Sequence, residues 1–200
     1  MCEGRQEETF YKSLEDLGLD YVDMYFLHWP LGEVMASWRV LERLYEAGKI
    51  RAISVSNFQK PHLEKLIAKA NVPPAVNQLE SNPRFQQNEA FRFSLQEGIV
   101  PEAWGPLGKG RDLSLPLFEE LAQKYEKSPA QIILRWHLQR GMAVIPKSVN
   151  PERIRQNMDV FDFELEQADM DAIFALDTGI SQRGYQKGYR FDAVCDGAVY

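Results

Sequence analysis

The segment VIPKSVNPERIRQN, residues 144–157, has the pattern of a short buried strand, a loop and the start of a helix. Asn150 is a preferred helix N-cap, and the proline after it suits the first helical position, where its missing N–H costs nothing. Unpaired backbone amides at a helix start attract anions, and Lys147, Ser148 and Arg153 lie within one turn of that point. The stretch therefore predicts either a phosphate site or a capped helix with a solvated basic end.

The overall composition is that of an acidic cytoplasmic protein. Of the 200 residues 44% are hydrophobic, and the formal net charge is −6. No Lys/Arg run appears, so we expect neither nucleic acid nor an anionic membrane as a partner. Cys2 and Cys195 show no metal or disulfide spacing, and no apolar run has the length of a membrane span or a signal peptide. We expect one domain over residues 1–200.

Strand and helix patterns alternate along the chain, which predicts a parallel sheet with right-handed crossovers. Glycines or prolines separate amphipathic helices from short β-rich runs, which we place at 21–27, 52–56, 75–79, 99–103 and 143–145. About five such units fit an open doubly wound sheet, whereas a closed (β/α)8 barrel needs roughly 250 residues. The position of the polar residues distinguishes these two architectures.

Polar and aromatic side chains follow the strands around the whole pattern, which favours a barrel over an open sheet with one crevice. The residues at or just beyond predicted strand ends are His28, Ser56, Asn57, Gln78, Trp104, Lys147 and Ser148. No GxGxxG follows any strand, so the usual dinucleotide fingerprint of the open fold is missing. The sequence therefore predicts a TIM-type (β/α)8 barrel, truncated at its N-terminus to about five βα units.

Each of these residues also has an ordinary structural interpretation. A histidine at a strand end is more often structural than catalytic, and Ser56-Asn57 could simply close a turn through local hydrogen bonds. Trp104 could be a core aromatic beside a glycine-rich loop. Together, however, the residues form a phosphate clamp, a stacking face, amide hydrogen-bonding groups and an imidazole. An elongated ligand with a phosphate and a flat ring would use this set.

Several stretches make the sequence similar to the aldo-keto reductase family, as found in bacterial diketogluconate and glyoxal reductases. They occur in the family's order over nearly the whole chain up to Thr178 and comprise residues 17–30, 48–58, 77–83, 103–108 and 144–157. The last of them is the most specific. The resemblance implies an eight-stranded barrel in which NADPH gives a hydride to the carbonyl of an aldehyde or ketone.

The resemblance also implies roles for individual residues. His28 would be the catalytic, substrate-orienting histidine, and Trp29 would line the substrate pocket. The implied NADPH contacts are Ser56, Asn57 and Gln78 at the carboxamide, Trp104 at the nicotinamide, Gly105 and Leu107 beside it, Lys147, Ser148, Val149 and Arg153 at the 2′-phosphate, and Gln156 and Asn157 near the adenine. Trp104 stands where tyrosine is common, Gln156 where glutamate is, and Asn82 where histidine is.

One part of the family pattern is absent from this sequence. The family's Asp, its Tyr general acid and the Lys that lowers the tyrosine pKa come from the first three strands, and the resemblance begins at the helix after them. We interpret Tyr11, Lys12 and Asp16 as residues of that outer helix and not as substitutes. Since a positioned proton donor contributes about 10² to 10⁴-fold, we expect this form to be inactive or nearly so.

The sequence leaves three functions open. The first is NADPH-dependent reduction of a small carbonyl compound by a protein that is monomeric once its barrel is complete. The second is a non-catalytic module that binds or senses NADPH. The third is a phosphosugar-binding piece of a barrel.

Overall fold

A computed structural model of the chain describes residues 3–181. These residues divide into two compact units: residues 3–78 with 92–99, and residues 79–91 with 100–181. Within the described part, no helix combines the length and apolar character that a membrane crossing requires. The polar, glycine-dotted stretch from Thr178 to Tyr200 is expected to form an irregular cap. Its residues beyond 181, like Cys2 and Cys195, lie outside the described residues. The prediction of one domain over residues 1–200 stays a prediction.

Helices and strands alternate, as predicted. They are α1 Glu3–Leu17, β1 Val22–Leu27, α2 Val34–Glu46, β2 Ile50–Ser56, α3 Lys60–Ile67, β3 Val76–Glu80, α4 Asn88–Gln96, β4 Val100–Trp104, α5 Pro116–Tyr125, α6 Pro129–Gln139, β5 Ala143–Val144, α7 Pro151–Met158 and α8 Gln167–Phe174. A 3-10 turn covers Gly108–Gly110. The sequence patterns did not reveal α8, whose amphipathic character is weak.

The strands form a five-stranded sheet in the order of the chain. The pairs β1–β2, β2–β3 and β4–β5 are parallel. Parallel neighbours require crossover connections, and the intervening helices provide them. In the register of β2 and β3, Ser56 lies opposite Gln78, so these two predicted site residues are neighbours.

The core of the first unit lies between its helices and the sheet. Phe10 of α1, Trp38 of α2 and Ile53 of β2 are almost wholly buried in it. If His28 faces the barrel, the period of two along a strand predicts that Tyr25 faces a helix. The Tyr25 ring does pack edge-to-face on Phe10 of α1, with 5.1 Å between centroids. The opposite face of β1 carries Met24, which is 39% exposed.

The second unit has its own core around α5, α6 and α8. Phe118, Trp136 and Ile173 are fully buried there. Ser128, the proline after it and Gln131 predict a capping box at the start of α6. The structure confirms it, since Ser128 Oγ accepts from the Gln131 amide and Gln131 Oε1 accepts from the Ser128 amide. The reciprocal bonds satisfy backbone donors that a helix start otherwise leaves unpaired.

A buried carboxylate of α2 binds the segment that follows α3 in the first unit. Glu42 is 2% exposed, and it accepts hydrogen bonds from the amides of Asn71 at 2.7 Å and Val72 at 3.0 Å and from Arg39 Nη1 at 2.5 Å. Burial by itself would raise the pKa of the Glu42 carboxyl. The hydrogen bonds from the two amides and the Arg39 guanidinium lower it by more than this, so the Glu42 pKa lies below its ordinary value. The ionised form of Glu42 is therefore the form that stabilises the fold.

Glu42→Gln is expected to lower the free energy of unfolding by about 1–3 kcal/mol, because the buried donors lose a charged acceptor. A folded-state pKa below the unfolded one means that the unfolded chain binds more protons at acidic pH. The stabilisation is then present above the unfolded pKa of about 4.3 and disappears as the pH falls through the folded value. Urea unfolding of wild type and variant at neutral and acidic pH measures this difference. The exposed Glu46→Gln on the same helix is the control, and an equal effect of both substitutions would contradict the account.

Candidate functional site

The start of α7 is capped by its own sequence. Asn150 Oδ1 accepts hydrogen bonds from the amides of Glu152 at 2.9 Å and Arg153 at 3.2 Å. Pro151 has no N–H, and the Ile154 amide donates to the Asn150 carbonyl at 3.0 Å. The expectation of unpaired amides at this helix start is therefore wrong, because the Asn150 side chain already occupies them. An anion here meets side chains first and reaches the amides only if Asn150 turns away.

Two cationic side chains flank the capping residue Asn150 in sequence. Lys147 and Arg153 are both exposed, and among residues 3–181 neither forms an ion pair with a carboxylate. The neighbouring Arg155 differs, since its Nη1 donates to the Glu152 carboxylate at 2.9 Å. Lys147 and Arg153 thus present charge without an internal partner, whereas Arg155 does not.

A cavity of about 610 Å³ lies in the second unit in front of these cations. It is lined by Gly105, Pro106, Leu107, Lys109, Gly110, Leu113, Ser128, Pro129, Ala130, Ile145, Pro146, Lys147, Ser148, Arg153, Gln156 and Asn157. Three of these described residues carry a positive charge and none is acidic. In a chain with a net charge of −6, the lining of this cavity is locally positive.

Seven of the predicted cofactor contacts meet in this cavity: Gly105, Leu107, Lys147, Ser148, Arg153, Gln156 and Asn157. Ser148 Oγ accepts from the Asn150 amide at 3.1 Å, which fixes the loop before α7. Gln156 Nε2 lies 3.5 Å from Glu152 Oε1 on the same helix. Five of them come together because the loop after β5 and the first turns of α7 are adjacent in sequence, whereas Gly105 and Leu107 come from the loop after β4.

Five of the predicted contacts are not among the residues that line the cavity. Three of them, Ser56, Asn57 and Gln78, belong to the first unit. Of the other two, Val149 is 82% exposed. Trp104 ends β4 and is half-buried, and its carbonyl accepts from the Ser81 amide at 3.3 Å. Their roles stay predictions.

Sequence reasoning missed the opposite walls of the cavity. Ser128, Pro129 and Ala130 come from the start of α6, where the capping box gave a structural explanation that hid a second role. Lys109 belongs to the glycine-rich loop after β4, where its charge between two glycines was an available signal. These residues were hard to group with Lys147 because they lie far from it in the sequence, not because their side chains are unsuited to the same cavity.

Pro106 on the cavity wall is backed by a buried histidine. His137 of α6 is fully buried. Burial and the nearby Arg140 charge lower the pKa of His137 to about 3, although the Pro106 carbonyl favours the protonated ring. The imidazole is therefore neutral near pH 7 and adds no charge behind the cavity.

The predicted carboxamide contacts lie in the first unit and are tied together by hydrogen bonds. Ser56 Oγ donates to the Gln78 carbonyl at 3.0 Å, and the Asn57 amide donates to the same carbonyl at 2.8 Å. Asn57 Nδ2 donates to Ser56 Oγ at 3.0 Å and to the His28 carbonyl at 3.1 Å. Asn57 adopts a left-handed backbone with φ of 63°, which asparagine tolerates better than most residues. The structure thus places Ser56, Asn57 and Gln78 together with the backbone of His28.

His28 directly follows β1, as predicted, and its side chain is exposed. Its ring centroid lies 5.8 Å from that of Trp29, with the planes tilted by 45°. This pair is accessible and lies at the strand end, where a substrate-orienting histidine was predicted.

The structure confirms that Tyr11, Lys12 and Asp16 belong to an outer helix. All three lie on α1, where Tyr11 is 44% exposed and Lys12 Nζ bonds to Asp16 Oδ1 at 3.2 Å on the surface. No group of three His, Cys, Asp or Glu side chains among the described residues could hold a metal ion.

Comparison with known proteins identifies relatives of the chain. Residues 1–178 match the aldo/keto reductase family. The chain is 51% identical to an uncharacterized oxidoreductase, YtbE, of Bacillus subtilis over 178 residues, covering 87% of this chain and 64% of that protein. It is 52% identical to glyoxal reductase of Bacillus subtilis over 169 residues, covering 84% of this chain and 61% of that protein.

Solved structures give the same result. The crystal structure of an aldo-keto reductase from the silkworm Bombyx mori, complexed with NADPH, superposes with a TM-score of 0.87 at 30% identity. The likeness covers 90% of this chain and 62% of the silkworm chain. It confirms the predicted fold class, that of a (β/α)8 barrel, of which the described residues contain five parallel strands.

The chain spans less than two thirds of the length of the relatives described above. The family match nevertheless covers most of its residues and includes both the strand ends of the first unit and the cavity of the second. The chain therefore belongs to the aldo/keto reductase family.

Proposed function

We propose that the protein reduces aldehydes or ketones to alcohols with NADPH, as an oxidoreductase of small carbonyl compounds. Family membership supports this proposal, as do a glyoxal reductase among its relatives and an NADPH complex among the structures that it resembles. The observation that carries it is the pair of unpaired cations, Lys147 and Arg153, on a cavity without acidic residues among those described.

The cavity residues fit the adenosine end of NADPH. Its 2′-phosphate is a compact dianion, and a lysine ammonium with a forked guanidinium is well suited to bind it. Gln156 and Asn157 lie one to two turns further along α7, where their amides can bond to the adenine edge. The amides at the helix start join in only if Asn150 releases them, so the side-chain charges supply the main attraction.

We further propose that His28 orients the substrate carbonyl and that Trp29 lines its pocket. An imidazole N–H directed at a carbonyl oxygen polarises it and stabilises the negative charge that develops there. Ser56, Asn57 and Gln78 are the proposed contacts for the carboxamide, since they combine hydroxyl and amide groups at adjacent strand positions. NADPH, when bound, supplies the hydride.

The proton needed by the alcohol product is a separate requirement. Tyr11 lies on the exposed side of α1. Lys12 is beside it in sequence and Asp16 follows further along the same helix, but Lys12 is already bonded to Asp16. We propose that this chain by itself binds NADPH but transfers hydride slowly. The exposed position of Tyr11 and the Lys12–Asp16 bond also favour the second candidate function, a non-catalytic NADPH-binding or sensing module.

The remaining expectations also stay proposals. A cytoplasmic location and the exclusion of nucleic acid come from the acidic composition and the cysteine pattern, and the monomeric state is expected once the barrel is complete. A sugar phosphate is the competing ligand for a cationic cavity in a barrel. It would compete with NADPH if the phosphosugar interpretation were correct.

Lys147→Ala and Arg153→Ala are each expected to weaken NADPH binding by about tenfold, because each removes one charge-assisted contact to the 2′-phosphate. Binding of NADH should change little, since NADH lacks that phosphate. Arg155→Ala is the matched control, because the Arg155 side chain already pairs with Glu152. Fluorescence titration measures all affinities. Equal losses for NADPH and NADH, or equal losses for Arg153→Ala and Arg155→Ala, would be evidence against a 2′-phosphate contact.

Turnover of glyoxal or benzaldehyde by this chain is expected to be about 10² to 10⁴-fold slower than that of the related glyoxal reductase assayed in parallel. The measurement follows NADPH oxidation at saturating cofactor. Tyr11→Phe should leave any residual rate unchanged, because Tyr11 lies on the exposed side of α1. A rate comparable to that of the relative would disprove the proposed lack of a proton donor. A loss of rate in Tyr11→Phe would show that Tyr11 had been assigned wrongly.

A further inference from the structure

One wall of the cavity is a backbone segment in an uncommon conformation. Gly108, Lys109 and Gly110 have φ angles of 58°, 54° and 85°, so three consecutive residues are left-handed. Lysine, unlike glycine, avoids this region because its Cβ crowds the backbone. Hydrogen bonds from the Gly108 amide to the Gly105 carbonyl at 3.0 Å and from the Gly110 amide to the Leu107 carbonyl at 2.8 Å close the turn. Such a segment persists only when its surroundings hold it in place.

Asp112 lies directly behind this turn. Asp112 is only 2% exposed, and Asp112 is not among the residues that line the cavity. A Cβ added to Gly108 would come within 2.5 Å of Asp112 Oδ2 and 2.8 Å of Asp112 Cγ. The carboxylate thus fills the space that any larger residue at position 108 would need.

The Asp112 carboxylate is itself poorly satisfied. Oδ2 is buried and has no hydrogen-bond partner within residues 3–181. Burial raises the Asp112 pKa, and the Arg84 and Arg111 charges oppose that rise. Arg111 also bonds to the turn, since its Nε donates to the Gly108 carbonyl at 3.3 Å. A buried acceptor without a partner is costly, so its presence against a strained turn calls for a physical reason.

We propose that Asp112 is a positioning residue for cofactor binding: wedged against Gly108 and attracted by Arg84 and Arg111, it holds the turn that forms one cavity wall. Asp112 acts through Leu107 and Lys109, which line the cavity, and does not touch the ligand. The inference rests on the proposed function, because NADPH is the ligand whose affinity the wall would set.

Asp112→Ala is expected to weaken NADPH binding by about tenfold, because the turn loses its support and Lys109 its fixed position. Asp112→Asn keeps the shape of the wedge and loses only the attraction to the two arginines, so its loss should be smaller. Gly108→Ala should also weaken binding, but less in the Asp112→Ala background than alone, since the clash then disappears. Asp177→Ala, which removes another partly buried carboxylate of this unit, is the control for general destabilisation.

Limited trypsin digestion gives a second, local measurement that does not depend on NADPH. Cleavage after Lys109 and Arg111, identified by mass spectrometry, should be faster in Asp112→Ala than in wild type and in Asp177→Ala. If Asp112→Ala does not fold, Asp112→Asn and Gly108→Ala supply both measurements. Wild-type affinity together with wild-type cleavage in the folded variants would overturn the inference. Failure of the wild-type chain to bind NADPH would instead count against the proposed function, and the digestion would still test Asp112.

Discussion

The hydrogen bonds from the Glu152 and Arg153 amides to Asn150 Oδ1 are the interaction on which the chemistry of the cavity depends. They complete α7 without any ligand, so the helix is formed before an anion arrives. Lys147 and Arg153 flank the capping residue in sequence, and both line the cavity. A phosphate thus finds charges that are already positioned, which reduces the ordering that binding requires.

The distribution of charge gives this arrangement its selectivity. A protein with a net charge of −6 repels a polyanionic dinucleotide over most of its surface. Arg155 is neutralised by Glu152, whereas Lys147 and Arg153 are not paired with any carboxylate in the described part of the chain. The cavity is therefore a place where attraction outweighs the general repulsion. Its three cations come from different segments: Lys147 from the loop before α7, Arg153 from the first turn of α7 and Lys109 from the turn after β4.

Local sequence rules were sufficient for the five strands and the two N-caps, although they did not reveal α8. Ser128 and Asn150 were identified as N-caps because capping involves residues only two or three positions apart, and alternation of patterns gave the five strands. The residues around Lys147 were grouped correctly because one short loop and one helix carry them. The resemblance to a family then supplied roles that the residue patterns left open.

Long-range packing explains what the sequence did not reveal. No residue near Asp112 in the sequence indicates that its carboxylate is buried behind Gly108. One of the two arginines whose charge opposes the effect of burial, Arg84, lies far from Asp112 in the sequence. Asn57 illustrates the opposite case, because its amide group bonds to the backbone of His28 and therefore has a structural role beside the predicted one. The amides of α7 were expected to be open, and the side chain that caps them closes them.

The most direct test of the cation pair is the pH dependence of NADPH affinity in the wild-type chain, with NADH as the reference. A phosphate monoester loses its second charge as the pH falls through about 6, whereas lysine and arginine stay protonated throughout. If Lys147 and Arg153 bind the 2′-phosphate, NADPH affinity falls over this range and NADH affinity does not follow it. Parallel pH profiles for the two dinucleotides would show that the cations bind something else.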